Sequence, residues 1–403
     1  MFTKRTIRDI DVRNKRVLVR VDYNVPLTPD NQVADDTRIM ATLPTIRYLI
    51  EKEAKIILVT HLGRPKGYDP RLRVDPTAET LSRFLNKPVR KLDRTIGEEV
   101  RRFIDIMNPG DVVLLENIRF HEAEKRNDPT FARELASLAD IYVNDAFGAA
   151  HREHASVAGV ARFLPAVAGF LLEREIVHLQ KLLEAPDRPF YTVLGGNKIS
   201  DKLGVIKRFL DRVDCLFLGG GMCFTFLKAA GYNVGRSLVW DDYLDEARAI
   251  LDEVTNSHSR CKLQLPEDVV MAPEIAPGVE TRVGRIEDFY DDWMGLDIGP
   301  QTRATYAKML NEAKTIFWNG PMGVYELPEF AAGTREICRT LAYAKAATIV
   351  GGGDSDAALR SFGYSGLMTF VSTGGGASLK FLEGTPLPGV EALLDVDVPV
   401  EVA

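Results

Sequence analysis

The first half of this chain places polar side chains just past the ends of short apolar runs. Asp22 and Asn24 follow one run, His61 and Arg64 a second, and Asn117 and Arg119 a third. A fourth ends in Asn144, Asp145 and Phe147 and leads into GAAHREHAS, which holds His151, Arg152 and His154. Arg38 comes just after the DDT of residues 35–37. Guanidinium forks grip phosphate or carboxylate through paired hydrogen bonds. A single arginine past a strand is a surface charge or a partner for a neighbouring helix, and His121 and His154 are read in that way. Four successive runs that end alike instead predict a cationic ring for a small phosphorylated anion.

The second half ends its apolar runs in glycine: Gly195-Gly196, Gly219-Gly220-Gly221, Gly320, Gly351-Gly352-Gly353 and Gly374-Gly375-Gly376. Glycine lets backbone approach a ligand closely, and N–H groups at helix starts can cradle phosphate. Packing alone is the other reading of any one of these glycines. Lys198 and Lys202 follow the first pair at a spacing that puts both on one face if a helix has begun by Lys198. Asp354 follows a glycine triplet and is suited to hold Mg²⁺ through oxygen, directly or through its water. STGGGAS, residues 372–378, adds hydroxyls. No GxxxxGK[ST] is present and no GxGxxG follows a strand, so neither a P-loop nor a standard dinucleotide site is supported.

The elements that must position these residues alternate. Strands are predicted over 16–26, 55–64, 111–120 and 141–148, with helices over 37–53, 77–86, 97–107 and 128–140. A second set follows: strands over 191–198, 215–221, 262–270, 315–323 and 347–355, with helices over 200–213, 242–256 and 328–345. Near-continuous apolar strands separated by helices predict parallel sheets covered on both faces. Ligands then bind beyond the carboxyl ends of the strands, where the polar residues sit. Residues 168–186, AGFLLEREIVHLQKLLEAP, form a long amphipathic joint between the sets. The expected fold class is α/β, with two Rossmann-like domains, each a parallel sheet flanked by helices, joined by a hinge helix. The expected boundaries are 1–168, 169–186 for the joint, 187–380, and a C-terminal segment over 381–403 that returns to the first domain.

A chain of 403 residues suits two such domains. Residues 1–168 carry 28 Lys and Arg against 24 Asp and Glu, whereas the rest carries 23 against 33. That asymmetry alone is ordinary for two differently composed surfaces. Four cysteines without a CxxC pair read as reduced, mostly buried thiols. The N-terminus lacks a signal-peptide pattern, and residues 156–172 are interrupted by Arg162 and Pro165 and fall short of a membrane span. A cytoplasmic protein with no membrane or nucleic-acid partner is expected. A basic pocket on one domain and a glycine-lined, Mg²⁺-compatible pocket on the other suit phosphoryl transfer to a small molecule.

Ten segments in order resemble the phosphoglycerate kinase family, over nearly the whole chain: RVDYNVP (20–26), THLGRP (60–65), LLENIRF (114–120), NDAFGAAHREHAS (144–156), GGNKISDKL (195–203), LGGGMCFTFL (218–227), GLDIGP (295–300), WNGPMGVYE (318–326), GGGDS (351–355) and STGGGASLKFLEG (372–384). The resemblance implies reversible, Mg²⁺-dependent phosphoryl transfer between ATP and the carboxylate of 3-phosphoglycerate, giving ADP and 1,3-bisphosphoglycerate. It implies a hinge-bending monomer in the cytoplasm. By the same resemblance Asp22 and Asn24 contact the glycerate, and Arg38 lies against its carboxylate and the transferring group. His61, Arg64, Arg119 and Arg152 hold the 3-phosphate, with His151 nearby. Lys202 binds nucleotide phosphates and Glu326 the ribose. Gly352, Gly353, Asp354 and Ser355 handle phosphates and metal, Lys198 follows the migrating group, and Gly219, Gly220 and Asn319 line the adenosine pocket.

The chain departs from the family at Asn197, where Ala or Ser is usual, and at Asp356, where a small apolar residue is usual. Both are expected to bear on nucleotide affinity and metal preference. Tyr23 and Tyr325 stand for Phe, Lys380 stands for Glu, and a tail, VDVPVEVA, follows LPGVEALLD. That tail is expected to fray or to add an edge strand. Two other readings stay open here: a kinase for another carboxylate or sugar phosphate, and a catalytically silent nucleotide-binding scaffold.

Overall fold

A computed structural model describes residues 2–256 and 260–397 of the chain. The chain divides into two compact units, Met1–Val177 with Pro386–Ala403, and His178–Thr385.

The first unit is built on β1 (Arg16–Arg20), β2 (Lys55–Val59), β3 (Val89–Lys91), β4 (Val112–Leu114), β5 (Ile141–Asn144) and β6 (Ala166–Ala168). They form one parallel sheet in the order β3-β4-β2-β1-β5-β6. Residues 17–20 and 56–59 are fully buried, as strands covered on both faces must be. From β1 the chain crosses to β2 on one side, and from β5 it crosses to β6 on the other. The crevice for a ligand therefore opens at the carboxyl ends of β1 and β5. The first strand stops at Arg20, short of residue 26, and the segment that follows places Asp22 beside Arg38 and Asn24 beside Gly63. β3 and β6 are three-residue strands with no periodic signal of their own.

The second unit has β7 (Phe190–Leu194), β8 (Cys215–Leu218), β9 (Lys262–Gln264), β10 (Asp268–Ala272), β11 (Arg282–Arg285), β12 (Met294–Ile298), β13 (Thr315–Asn319), β14 (Ala347–Gly351) and β15 (Phe370–Val371). Six of them form a parallel sheet in the order β15-β14-β13-β7-β8-β9, and β11-β10-β12 form a separate antiparallel sheet. The run over 262–270 is thus two strands in two sheets. Pro266 lies between them and cannot donate to a ladder. Here the switch of direction falls between β7 and β13, whose carboxyl ends carry Gly195 and Gly320.

The helix of the predicted joint runs Phe170–Glu184, and the division between the units falls within it. Asp145 caps its start, Oδ1 accepting from the N–H groups of Leu171 (2.8 Å) and Leu172 (3.3 Å). Burial pushes the Asp145 carboxyl up to about 7. The helix Gly376–Glu383 belongs to the second unit, so the chain passes back to the first at Pro386 and not at residue 381. There Asn144 Nδ2 donates to Gly389 O at 2.9 Å, and Lys4 pairs with Asp395. Residues 398–403 of the expected tail lie outside the described residues. Among the described residues no helix is long and apolar enough to cross a membrane.

Candidate active site

The first unit brings its predicted residues together at the β1–β5 crevice. Arg38, on the helix Thr37–Glu51, donates to Asp22 Oδ2 at 2.5 Å. Burial alone would raise the Asp22 carboxyl, but Arg38 and Arg20 outweigh it and hold the group below its ordinary value. Asn24 Oδ1 accepts from Gly63 N at 2.7 Å, tying the end of β1 to the loop after β2. A positive φ of 65° lets that loop turn at Gly63, and a Cβ there would meet Leu72 at 2.9 Å. Arg119 donates from its NH1 to Gly63 O at 2.8 Å, while its Nε is buried without a partner. Burial, with Arg20 and Arg152 close by, pushes the Arg119 guanidinium down to about 10. Arg64 and Arg152 are exposed, and among the described residues their side chains have no hydrogen-bond or ion-pair partner. A cleft of about 620 Å³ with Lys125, Arg126, Arg152 and Arg162 on its walls adjoins them.

The predicted ring is not uniformly charged. His61 is 4 % exposed. Burial, and the charges of Arg20, Arg119 and Arg38 over the opposing Asp22, push its imidazole well below the ordinary range. It is a neutral ring and not one of the cations. Asn117 is a staple between loops: its Nδ2 donates to Leu62 O and Leu72 O, both at 2.8 Å. His121 is bonded to Thr95 and lies tilted against the Phe131 ring. His154, read as structural, lies within the charged group, and burial with Arg119, Arg20 and Arg152 pushes it down to about 4.

In the second unit the glycines divide into two kinds. Three are there because strand ends pack backbone against backbone. A Cβ on Gly195 would come within 2.1 Å of Pro321 O, on Gly220 within 2.4 Å of Gly196 N, and on Gly320 within 2.4 Å of Gly195 O. Gly220 N donates to Met322 O at 3.0 Å. Around Gly353, Gly375 and Gly376 there is open space. These three lie at the starts of the helices Gly353–Ser361 and Gly376–Glu383, where free N–H groups face outward. Gly219 packs on Met322, so it and Gly220 have packing reasons independent of any ligand.

Lys198 and Lys202 do not share a helix face, because the helix begins only at Leu203. Lys198 is exposed in the preceding loop and makes no hydrogen bond or ion pair. Lys202 is 8 % exposed beside Gly196; burial lowers its ammonium, with Asp201 and Asp354 opposing. Asp354 and Glu326 are exposed. Asn319 has a buried Nδ2 without a partner, beside Gly352. Ser355 Oγ accepts from Gly320 N at 2.7 Å, so its hydroxyl holds the end of β13.

These strand-end residues can be compared with those of known proteins. Residues 7–385 match the phosphoglycerate kinase family. The chain belongs to that family. It is 55 % identical over 395 residues to "Phosphoglycerate kinase" of Pelotomaculum thermopropionicum, covering 98 % of this chain and 100 % of that one. It is 52 % identical over 389 residues to the Aquifex aeolicus protein of the same name, covering 96 % and 98 %. Among solved structures, phosphoglycerate kinase from Coxiella burnetii superposes with a TM-score of 0.85 at 39 % identity, covering 96 % of this chain and 98 % of that one.

For a phosphoglycerate kinase family member the metal question is simple. Among the described residues no group of three or more His, Cys, Asp or Glu side chains is placed to hold an ion. An exposed Asp354 at a helix start, beside open backbone, fits Mg²⁺ that arrives with nucleotide phosphates and takes one protein carboxylate. Asp356 adds no free negative charge there, because Arg360 pairs with it at 2.7 Å one helical turn on. Asn197 points its Oδ1 toward Gly221, and its carbonyl accepts from Trp240 Nε1 at 2.8 Å. The other departures are also absorbed locally: Tyr23 bonds Thr42 at 2.8 Å, Tyr325 meets Phe362 edge-on, and Lys380 pairs with Glu383.

Three residues escaped the sequence reading. Arg20, Glu124 and Ser156 are fully buried beneath the first-unit crevice. Arg20 looked like part of a strand, and its partner Ser156 is 136 residues away.

Proposed function

We propose that this chain transfers a phosphoryl group reversibly between ATP and the carboxylate of 3-phosphoglycerate, as its family does, with the acid held by the first unit and the nucleotide by the second. The observation that carries the reading is the charge imbalance at the β1–β5 crevice. Arg20, Arg38, Arg119 and Arg152 gather there with Asp22 and Glu124 as the facing carboxylates, and the Arg119 guanidinium is pushed down to about 10 by burial and its cationic neighbours. Such a field favours a small acid carrying a phosphate.

The nucleophile is a carboxylate, ionised at neutral pH, so no general base is needed. Arg38 releases one fork of its guanidinium from Asp22 to neutralise charge on the transferring group. Arg64, Arg119 and Arg152 grip the 3-phosphate, Asn24 and Asp22 bind the glycerate, and His61 donates as a neutral ring. Lys198, long and unpaired, follows the phosphoryl group, while Lys202 and the N–H groups at Gly353 and Gly376 hold nucleotide phosphates. Glu326 takes the ribose and Asn319 donates its amide in the nucleotide pocket. Asp354 would hold Mg²⁺, which would supply charge neutralisation for the nucleotide phosphates. The helix Phe170–Glu184 is the proposed hinge, and the proposed state is a cytoplasmic monomer.

A coupled assay with purified chain, ATP, Mg²⁺ and 3-phosphoglycerate tests this. Glycerate without phosphate should turn over at least ~10²-fold less efficiently, because the arginines would be left unpaired. Equal use of both acids, or no turnover of either, overturns the assignment.

A further inference from the structure

Beneath the crevice runs a chain of hydrogen bonds in which every proton has a forced direction. Arg20 is fully buried. Its Nε donates to Ser156 Oγ at 2.9 Å, an NH1 hydrogen goes to Val21 O, and its NH2 lies 2.9 Å from His61 Nδ1. Ser156 Oγ–H donates to Glu124 Oε1 at 2.6 Å, and Ser156 N–H donates to Glu124 Oε2 at 2.8 Å. Tyr142 clamps the same turn, its hydroxyl donating to Ser156 O at 2.8 Å.

Guanidinium has only donors. The nitrogen it meets on His61 must therefore accept, and the ring proton must sit on Nε2. Asp22 Oδ1 lies 3.8 Å from the same Nδ1, too far to compete for a proton there. We infer that Glu124 and Ser156 act as positioning residues: they aim Arg20 at His61 Nδ1 and so lock His61 as a neutral Nε2–H donor for the acid's phosphate. The kinetic part of this rests on the proposed 3-phosphoglycerate site; the proton assignment does not.

The arrangement has a physical purpose. A histidine that gained and lost charge near neutral pH would change substrate affinity across the working range. The charged and titratable groups that face His61 are Asp22 and Arg20 from the β1 end, Arg119 after β4, and Arg38 from the helix Thr37–Glu51. Three of these four are arginines, which stay charged throughout and disfavour a proton on Nδ1. Both Glu124 oxygens accept from Ser156, so the group stands as a carboxylate facing Arg20, whose charge opposes the rise that burial imposes on it.

The test uses the full chain labelled with ¹⁵N-histidine, with long-range ¹H–¹⁵N correlation between pH 5.5 and pH 8. Loss of one set of signals in His61→Gln assigns the ring. His61 should give the neutral Nε2–H pattern throughout that range. In Ser156→Ala, and in Glu124→Gln, which keeps size but drops the charge, the ring should show mixed tautomers or begin to titrate. KM for 3-phosphoglycerate should rise about 10-fold in both variants while KM for ATP stays within about 2-fold. A substitution that only weakened folding would lower the active fraction and leave both KM values and the tautomer alone. An Nδ1–H pattern in the parent chain, or variants with an unchanged ring, overturns the inference even where 3-phosphoglycerate is turned over. Absence of that turnover with the Nε2–H pattern intact would remove the substrate assignment instead.

Discussion

The two strand-end sites are built in opposite ways. In the first unit most of the side chains are tied before any ligand arrives, Arg38 to Asp22, Asn24 to Gly63, Arg119 to Gly63 and His61 to Arg20, with Arg64 and Arg152 the exposed exceptions. In the second unit Lys198, Glu326 and Asp354 are exposed and unpaired, and the open glycines present backbone. A compact, highly charged acid offers few atoms, so pre-aligned side chains must supply most of its binding. A nucleotide offers a long phosphate chain, which backbone N–H groups at helix starts can follow with little side-chain order.

The comparison breaks most sharply at Arg38. Arg38→Ala should lower kcat by roughly 10²–10³, as loss of an oxyanion-stabilising donor does, while ADP binding to the second unit is unchanged by calorimetry. Near-normal turnover would mean that the Arg38–Asp22 pair is only structural.

A second contrast separates the two kinds of glycine. Gly220 has a φ of +64° and backbone within 2.4 Å of any added Cβ. Gly220→Ala should cost roughly 2–4 kcal/mol and lower the unfolding midpoint by about 5–10 °C. Gly376→Ala, with open space around it, should leave the midpoint within about 2 °C and act on nucleotide KM instead. Similar midpoints for both variants would erase the distinction.

A third contrast concerns pH. Asp145 in the first unit and Asp297 in the second are both buried, and both carboxyls are pushed up to about 7 by burial. The folded state keeps a proton that the unfolded chain releases at about pH 4, so the contribution of each carboxyl is greatest at the acidic end of that window. Stability then falls by up to about 1.4 kcal/mol per pH unit as pH rises to 7. Asp145→Asn and Asp297→Asn should each flatten the urea-unfolding profile of their own unit between pH 5 and pH 8. All three tryptophans, Trp240, Trp293 and Trp318, lie in the second unit, so their fluorescence reports Asp297→Asn and should not sense Asp145→Asn. A fluorescence response to both would show that the units do not unfold independently.

Much of this was legible in the residue order. Apolar runs at β1, β2, β5, β7, β8, β13 and β14 announced themselves because parallel strands are buried on both faces. β3, β6 and β15 did not, since two or three residues carry no period, and β11 did not, since three of its four residues are exposed. Most strand-end cations were found by position alone. The family resemblance supplied the proposed roles that no local pattern encodes, such as those of Lys198 and Glu326.

The order of residues therefore determined the class of fold, the strand ends at which ligands are proposed to bind and the charge offered at each end, because side-chain type and periodicity are local properties. Tertiary structure alone decided that His61 is neutral, that Ser355 and three of the glycines hold backbone together, and that Arg20 leans on Glu124 through Ser156. Each of those facts depends on which distant segment lies across a shared sheet edge, and on burial that removes water from the pair. Neither is written in any stretch of neighbouring residues.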